Sequence, residues 1–252
     1  MHIELDRYAR LKSPVHCWDP RFKIVSLSAL IFAFSFIKQL ALLPVILAIA
    51  IIVLLLSRLP IPYILKRLKY IALFMLPMVV LLSATSGGEV LFSIKFVPVY
   101  VQGLRMSLLV LARTFAILIV FFVMLETTPF NRTITALYDL KMPEKLVSIL
   151  FFTYRYIYVY LEQLRKMKIA LKVRGYSNAM TWHSLKTNGG IVASLLLRSF
   201  EQAERVCAAM TLRGYTGRLA IGGQYRVDWS DYAKTLAAAL VVIILLTVAY
   251  TL

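Results

Sequence analysis

Runs of apolar residues about as long as a hydrocarbon core is thick constrain this chain more than any other feature. Phe22–Ile37, Leu40–Ser57, Tyr70–Ala84, Leu104–Leu125 and Tyr232–Leu252 are nearly free of charge, and a helix needs roughly 20 apolar residues to span a bilayer. Only 16% of the residues are charged and 60% are apolar, whereas a soluble domain is nearer a quarter charged and half apolar. Lys38 and Gln39 separate the first two runs, which together are too long for one span and read better as two joined by a tight turn. Pro44 and Pro77 fall inside runs, as membrane helices tolerate when neighbouring groups satisfy the freed carbonyl. Between the spans, Arg58–Lys69 is basic and amphipathic, with Pro60 and Pro62 at its start. Thr85–Gly103 reads as a loop whose β-branched stretch, Glu89–Val101, allows a short hairpin. The stretch before Phe22 is polar and has no signal-peptide h-region, so the first span is expected to direct insertion.

Charge then orients the spans. The chain holds 29 Lys and Arg against 12 Asp and Glu, a net charge of +17. Arg7, Arg10, Lys12, Arg21 and Lys23 precede or open the first span, and Arg58, Lys66, Arg67 and Lys69 follow the second. Sixteen more lie between Glu126 and Lys234, leaving Lys38, Lys95, Arg105 and Arg113 outside or within a span. Cytoplasmic loops collect Lys and Arg, so the N-terminus is expected in the cytoplasm, and no nucleic-acid partner is needed to explain the charge. Cys17 and Cys207 then face a reducing compartment, which disfavours a disulfide. The expected architecture is all-α: a polytopic helical membrane protein with about five spans and two long cytoplasmic helices. Residues 1–125 form four spans, 126–231 the cytoplasmic region, and 232–252 a last span.

Two long helices are expected in the basic region, from near Pro143 to Val173 and from near Gly190 to Leu212. Leu146–Leu161 is apolar on nearly all sides and calls for burial in protein or lipid. Beyond it, Tyr160, Leu164, Met167 and Leu171 share one face, and Leu196, Ser199, Ala203, Val206 and Met210 form a stripe on the second helix. Small residues in that stripe permit close approach of another helix. Both helices end alike, in Val173-Arg174-Gly175-Tyr176 and Leu212-Arg213-Gly214-Tyr215, 39 residues apart. Gly just past a helix end and Arg in its last turn make an ordinary helix stop. Here, however, each Arg also extends an apolar face, a pattern suited to docking in a groove of another protein.

At these residues the chain resembles the transmembrane (T) component of energy-coupling factor transporters, whose two coupling helices each end in an Ala-Arg-Gly motif contacting an ATPase. Val173-Arg174-Gly175 and Leu212-Arg213-Gly214 keep the Arg and Gly and replace the Ala by a larger aliphatic. Asp6-Arg7-Tyr8, Ser13-Pro14-Val15-His16 and Asp19-Pro20-Arg21-Phe22-Lys23 resemble the approach to the first span in the cobalt-type, CbiQ-like members, and Gly103-Leu104-Arg105 also looks familial. The resemblance implies a coupling subunit of a multi-pass importer in a prokaryotic inner (plasma) membrane. Its partners would be two ABC ATPase subunits and a CbiM-like substrate-binding membrane subunit, besides membrane lipid. ATP and Mg²⁺ would sit on the ATPases, with no cofactor in this chain, and the cargo would be Co²⁺ or Ni²⁺, feeding needs such as cobalamin biosynthesis. Arg174 and Arg213 would pair with acidic groups of the ATPases, Leu164, Met167, Leu171, Ala203, Val206 and Met210 would form the contact face, and Asp19, Pro20, Arg21 and Lys23 would position the fold at the membrane surface. A vitamin-type T component differs only in cargo.

Catalytic signatures are missing. No G-x-x-x-x-G-K-[ST] phosphate loop occurs, and Gly222-Gly223 lacks the Lys. His2, His16, Cys17, His183 and Cys207 have no metal-ligand spacing, and the spans hold almost no acids, which disfavours proton coupling. An enzyme acting on lipid or prenyl substrates would want an Asp-rich or His/Glu cluster at the membrane face, and none is seen. The chain is therefore expected to be non-catalytic.

Overall fold

The computed structural model describes residues 11, 13–37, 39–85, 90–94, 97–176, 181–217 and 228–251. Asp6-Arg7-Tyr8, His2, Lys38, Gly87, Gly88 and Gly222-Gly223 lie outside them. Eight helices follow in chain order: α1 (Pro20–Phe36), α2 (Leu43–Ser57), α3 (Ile61–Thr85), α4 (Val101–Glu126), α5 (Phe130–Asp139), α6 (Glu144–Val173), α7 (Trp182–Leu212) and α8 (Trp229–Thr251). A short 3₁₀ turn, Leu40–Leu42, precedes α2. The strands β1 (Val90–Ile94) and β2 (Val97–Tyr100) pair antiparallel, with Phe92 opposite Val99 and Ile94 opposite Val97, so the stretch that allowed a hairpin forms one.

Helices occupy all five expected apolar runs, and among the described residues three stretches are long and apolar enough to cross a membrane: Leu40–Ser57, Val101–Glu126 and Trp229–Tyr250. The other two runs are shorter. α1 has 17 residues, about 25 Å of helix at 1.5 Å per residue. α3 has 25 residues, but Lys66, Arg67 and Lys69 occupy its first half. The basic stretch and the third apolar run are thus one continuous helix.

The chain divides into two compact units, residues 1–133 with 224–252, and residues 134–223. In the first, α4 packs against α1, α2 and α3, and α8 packs against α1. Phe34, Ile46, Ala50, Ala116, Val120 and Val123 are fully enclosed at the core of this unit. Close packing of α3 on α4 depends on Gly103, where an added Cβ would lie 2.8 Å from the Leu82 carbonyl oxygen and 2.8 Å from Ser83 Cα. Ser83 and Ser107 are buried at the same place, so small residues let the two backbones meet. Gly103 was expected in the loop; it belongs to α4, which starts two residues earlier, directly from β2.

The start of α1 is set locally. Asp19 caps it by accepting a hydrogen bond from the Arg21 amide at 2.9 Å, and Pro20 occupies the first helical turn. Just upstream, the amides of His16 and Cys17 donate to the Ser13 carbonyl, Ser13 Oγ accepts from the His16 amide at 3.4 Å, and His16 Nδ1 stands 2.7 Å from the same oxygen.

The second unit contains α6, α7 and most of α5. Among its described residues only Ile134, Ala136, Val147 and Ser184 are buried. α7 begins at Trp182, eight residues before the expected start, because Thr181 accepts from the Ser184 amide and caps it. Gly189 and Gly190 consequently lie inside the helix.

Candidate functional site

The two helix tips are the same structure made twice. At the first, Arg174 is the last near-helical residue and Gly175 turns left-handed at φ +78°. The Tyr176 amide donates to the Leu171 carbonyl at 3.0 Å and the Gly175 amide to Lys172 at 3.1 Å. At the second, Gly214 has φ +80°, the Tyr215 amide donates to Met210 at 3.0 Å and the Gly214 amide to Thr211 at 3.0 Å. Each is a Schellman cap, which uses glycine because a side chain is disfavoured at positive φ.

These caps hold out the same two side chains. Val173 is 84% exposed and Leu212 90% exposed, more than any other large aliphatic among the described residues. Arg174 and Arg213 are exposed beside them and have no ion-pair or hydrogen-bond partner for their side chains among the described residues. An isolated fold gains nothing from displaying an aliphatic next to an unpaired guanidinium. A partner that offers a carboxylate beside an apolar pocket would take up both.

The tips lie at opposite ends of the α6–α7 pair. The Tyr176 hydroxyl lies 3.3 Å from the Ser184 carbonyl oxygen and 3.1 Å from Asn188 Oδ1 and donates its one proton between them, tying the first tip to the start of α7. Tyr215, at the second tip, lines a cleft of about 360 Å³ with Tyr156 and Tyr160 of α6 and Ala203, Val206 and Met210 of α7. The interval from Tyr156 to Arg174 is about 27 Å of helix, so the tips are far enough apart to engage separate partner surfaces.

Of the expected contact face, Ala203 is exposed, whereas Val206, Met210, Leu164, Met167 and Leu171 are half-buried. Ala203, Val206 and Met210 line the cleft; Leu164, Met167 and Leu171 do not. Phe152, Tyr156 and Tyr160 stack along α6 at centroid distances of 6.4 and 6.2 Å. Their four-residue spacing is visible in the sequence, within the Leu146–Leu161 segment that is apolar on nearly all sides.

Lys23 of the N-terminal block is only 1% exposed. Its ammonium donates to Thr127 Oγ1 at 2.8 Å, to the Thr127 carbonyl at 3.3 Å and to the Val15 carbonyl at 3.1 Å. A lysine ammonium has three donors, and three acceptors meet it. Arg113 makes the converse contact, donating from α4 to the carbonyls of Ser35 (3.0 Å) and Ile37 (3.5 Å) at the end of α1. At the end of α4, Glu126 accepts from Arg67 at 2.8 Å and from the Tyr63 hydroxyl at 2.9 Å, while Arg67 lies over the Tyr63 and Phe122 rings. Among the described residues no three His, Cys, Asp or Glu side chains group closely enough to hold a metal ion.

Comparison with known proteins adds the following. The profile of a family named CbiQ and described as "Cobalt transport protein" matches residues 11–221. An energy-coupling factor transporter transmembrane protein EcfT from Bacillus selenitireducens is 29% identical over 230 residues, 85% of this chain and 84% of its own length. The protein of that name from Bacillus subtilis is 27% identical over 95% of this chain and 94% of its own length. A protein of Methanocorpusculum labreanum carrying the provisional name fused cobalt transport protein CbiMQ is 28% identical over 56% of this chain and 24% of its own length.

Proposed function

The chain belongs to the CbiQ family, CbiQ-like transmembrane components of energy-coupling factor transporters, and from that premise we propose that it couples ATP hydrolysis on two separate ATPase subunits to uptake of Co²⁺ through a substrate-binding membrane subunit. The observation that carries this reading is the pair of matched tips: the same cap, the same exposed aliphatic and the same exposed Arg, at opposite ends of α6–α7. Two like tips suit two like grooves. In this reading Arg174 and Arg213 each pair with acidic groups of one ATPase, and the stiff helices α6 and α7 carry the movement of the ATPase pair onward. ATP and Mg²⁺ belong to the ATPases. The basic end of the membrane unit faces the cytoplasm, as Lys and Arg distribution favours, which puts the N-terminus on the same side as the ATPases.

Cobalt is favoured by the family description and by the relative named as a fused CbiMQ, a name that also favours a CbiM-like partner. Ni²⁺ is the near alternative. The long matches to proteins named EcfT support a second reading, a vitamin-type component with another cargo. Uptake of Co²⁺, Ni²⁺ and vitamins by the whole complex separates the three.

The double substitution Arg174→Glu with Arg213→Glu tests the coupling role. Reversing both charges should release the ATPases and stop uptake while the chain still inserts. Truncating one partner of a desolvated charge pair costs about 2–5 kcal/mol, and reversal costs no less. Copurification of the ATPases with normal uptake in that double variant would sink the coupling role.

A further inference from the structure

The membrane unit gives up the chain to the 134–223 unit after α4 and receives it back before α8. The helix ends that flank these connections, the C-terminus of α4 and the N-terminus of α8, are both fixed to one turn of helix. Lys23, in the first turn of α1, binds Thr127, the cap residue of α4. Phe22, its neighbour, packs its ring on Tyr232 in the first turn of α8, with centroids 5.3 Å apart. Thr127 lies seven residues before the outgoing boundary at 134, and Tyr232 lies eight residues after the returning one at 224.

The Lys23 contact is built to be stiff. Burying an ammonium is costly unless its donors are met, and here all three are, two of them by Thr127. The C-terminal end of α4 also carries the negative end of a helix dipole, which favours a cation. Thr127 is itself only 1% exposed, and its amide and hydroxyl both donate to the Val123 carbonyl. At its other end α1 is held by Arg113 of α4. The turn that grips both helix ends is therefore part of a helix secured at each end.

We propose that Phe22 and Lys23 form a fixed post for the two helix ends that flank the coupling unit, so that movement of that unit pulls on α4 and α8 together instead of working either end loose. Both are positioning residues. The proposal rests on the coupling reading above.

The test uses the whole complex reconstituted in lipid vesicles, with Co²⁺ uptake per ATP hydrolysed and amide exchange at residues 124–128 as readouts. Lys23→Met keeps the apolar stem and removes the donors. It should speed exchange at the end of α4 by about tenfold or more, the effect of losing one hydrogen bond to a charged group, and lower uptake per ATP with the ATPases still bound. Phe22→Ala should lower uptake per ATP in the same direction. Should Lys23→Met fail to accumulate, Thr127→Val removes the hydroxyl that accepts from Lys23 and donates to Val123, leaves the carbonyl acceptors of Thr127 and Val15 in place, and should give a smaller loss of the same kind. Unchanged exchange overturns the post, and unchanged uptake per ATP overturns its coupling role. A wild-type complex that holds no ATPase overturns the coupling reading instead, and the exchange arm still judges the post.

Discussion

The two units of this chain are both helical but use their helices differently. In the membrane unit α4 packs against α1, α2 and α3, small residues bring backbones into contact, and a buried Lys and a half-buried Arg close helix ends. In the 134–223 unit two helices of 30 and 31 residues leave almost every side chain at least partly exposed, with an open cleft between them. One unit packs around a core and leaves the outer faces of its spans bare. The other displays its most exposed aliphatics at two capped tips, where only another protein would cover them. The comparison teaches where each unit is vulnerable: the first to changes of volume, the second to changes of surface.

Glycine substitutions break this comparison most sharply, because one exchange should have opposite signs in the two units. Gly103→Leu drives a side chain into the backbone of α3, since even its Cβ would sit 2.8 Å from Leu82 and Ser83 backbone atoms. Overpacking of this kind costs about 1–3 kcal/mol when side chains can yield, and backbone yields less. The variant should lose thermal stability in detergent or fail to accumulate. Gly189→Ala, inside α7 with nothing within 4 Å of the new methyl, should instead stabilise by about 0.5–1 kcal/mol. Destabilisation by Gly189→Ala without loss from Gly103→Leu would reverse the comparison.

The tips come next. Gly175→Ala and Gly214→Ala each force a Cβ into left-handed backbone, at about 1–2 kcal/mol per site, with open space around both. The loss should be confined to the helix ends and should fall on ATPase retention more than on the thermal midpoint. Equal retention with a lowered midpoint would mean that the caps serve folding alone.

How much of this was legible in the sequence follows from the range of the interactions. Apolar runs announce membrane helices one residue at a time, so all five runs were found, with errors only at their ends. The tips were legible because a cap is local and occurs twice at one spacing. The start of α7 was misread because Gly189-Gly190 looks like a breaker, while the cap that sets the start is one Thr three residues before a Ser. Lys23 stood out as part of a motif, but its partners did not. Thr127 lies 104 residues away, and a carbonyl acceptor leaves no mark in a sequence. Gly103 looked familial before its reason was visible, which is the backbone of a helix that ends 18 residues earlier.

The smallest expected effect tests whether the open unit leans on its surface charges at all. Glu162 faces Lys166 on α6 and Glu201 faces Arg205 on α7, each pair at 3.8 Å and four residues apart. All four side chains are more than half exposed. Such pairs contribute about 0.3–0.5 kcal/mol, and salt screens them. Glu162→Gln with Glu201→Gln should therefore lower the thermal midpoint barely measurably at low salt and not at all at high salt, with ATPase retention unchanged. A large loss of retention from this double variant would show that these acids, and not only the two arginine tips, meet the partner. A large loss of stability would show that α6 and α7 are held by more than their own helical hydrogen bonds and the contacts around Tyr176. Either result would redraw the line between the unit packed around a core and the one whose two tips wait to be covered.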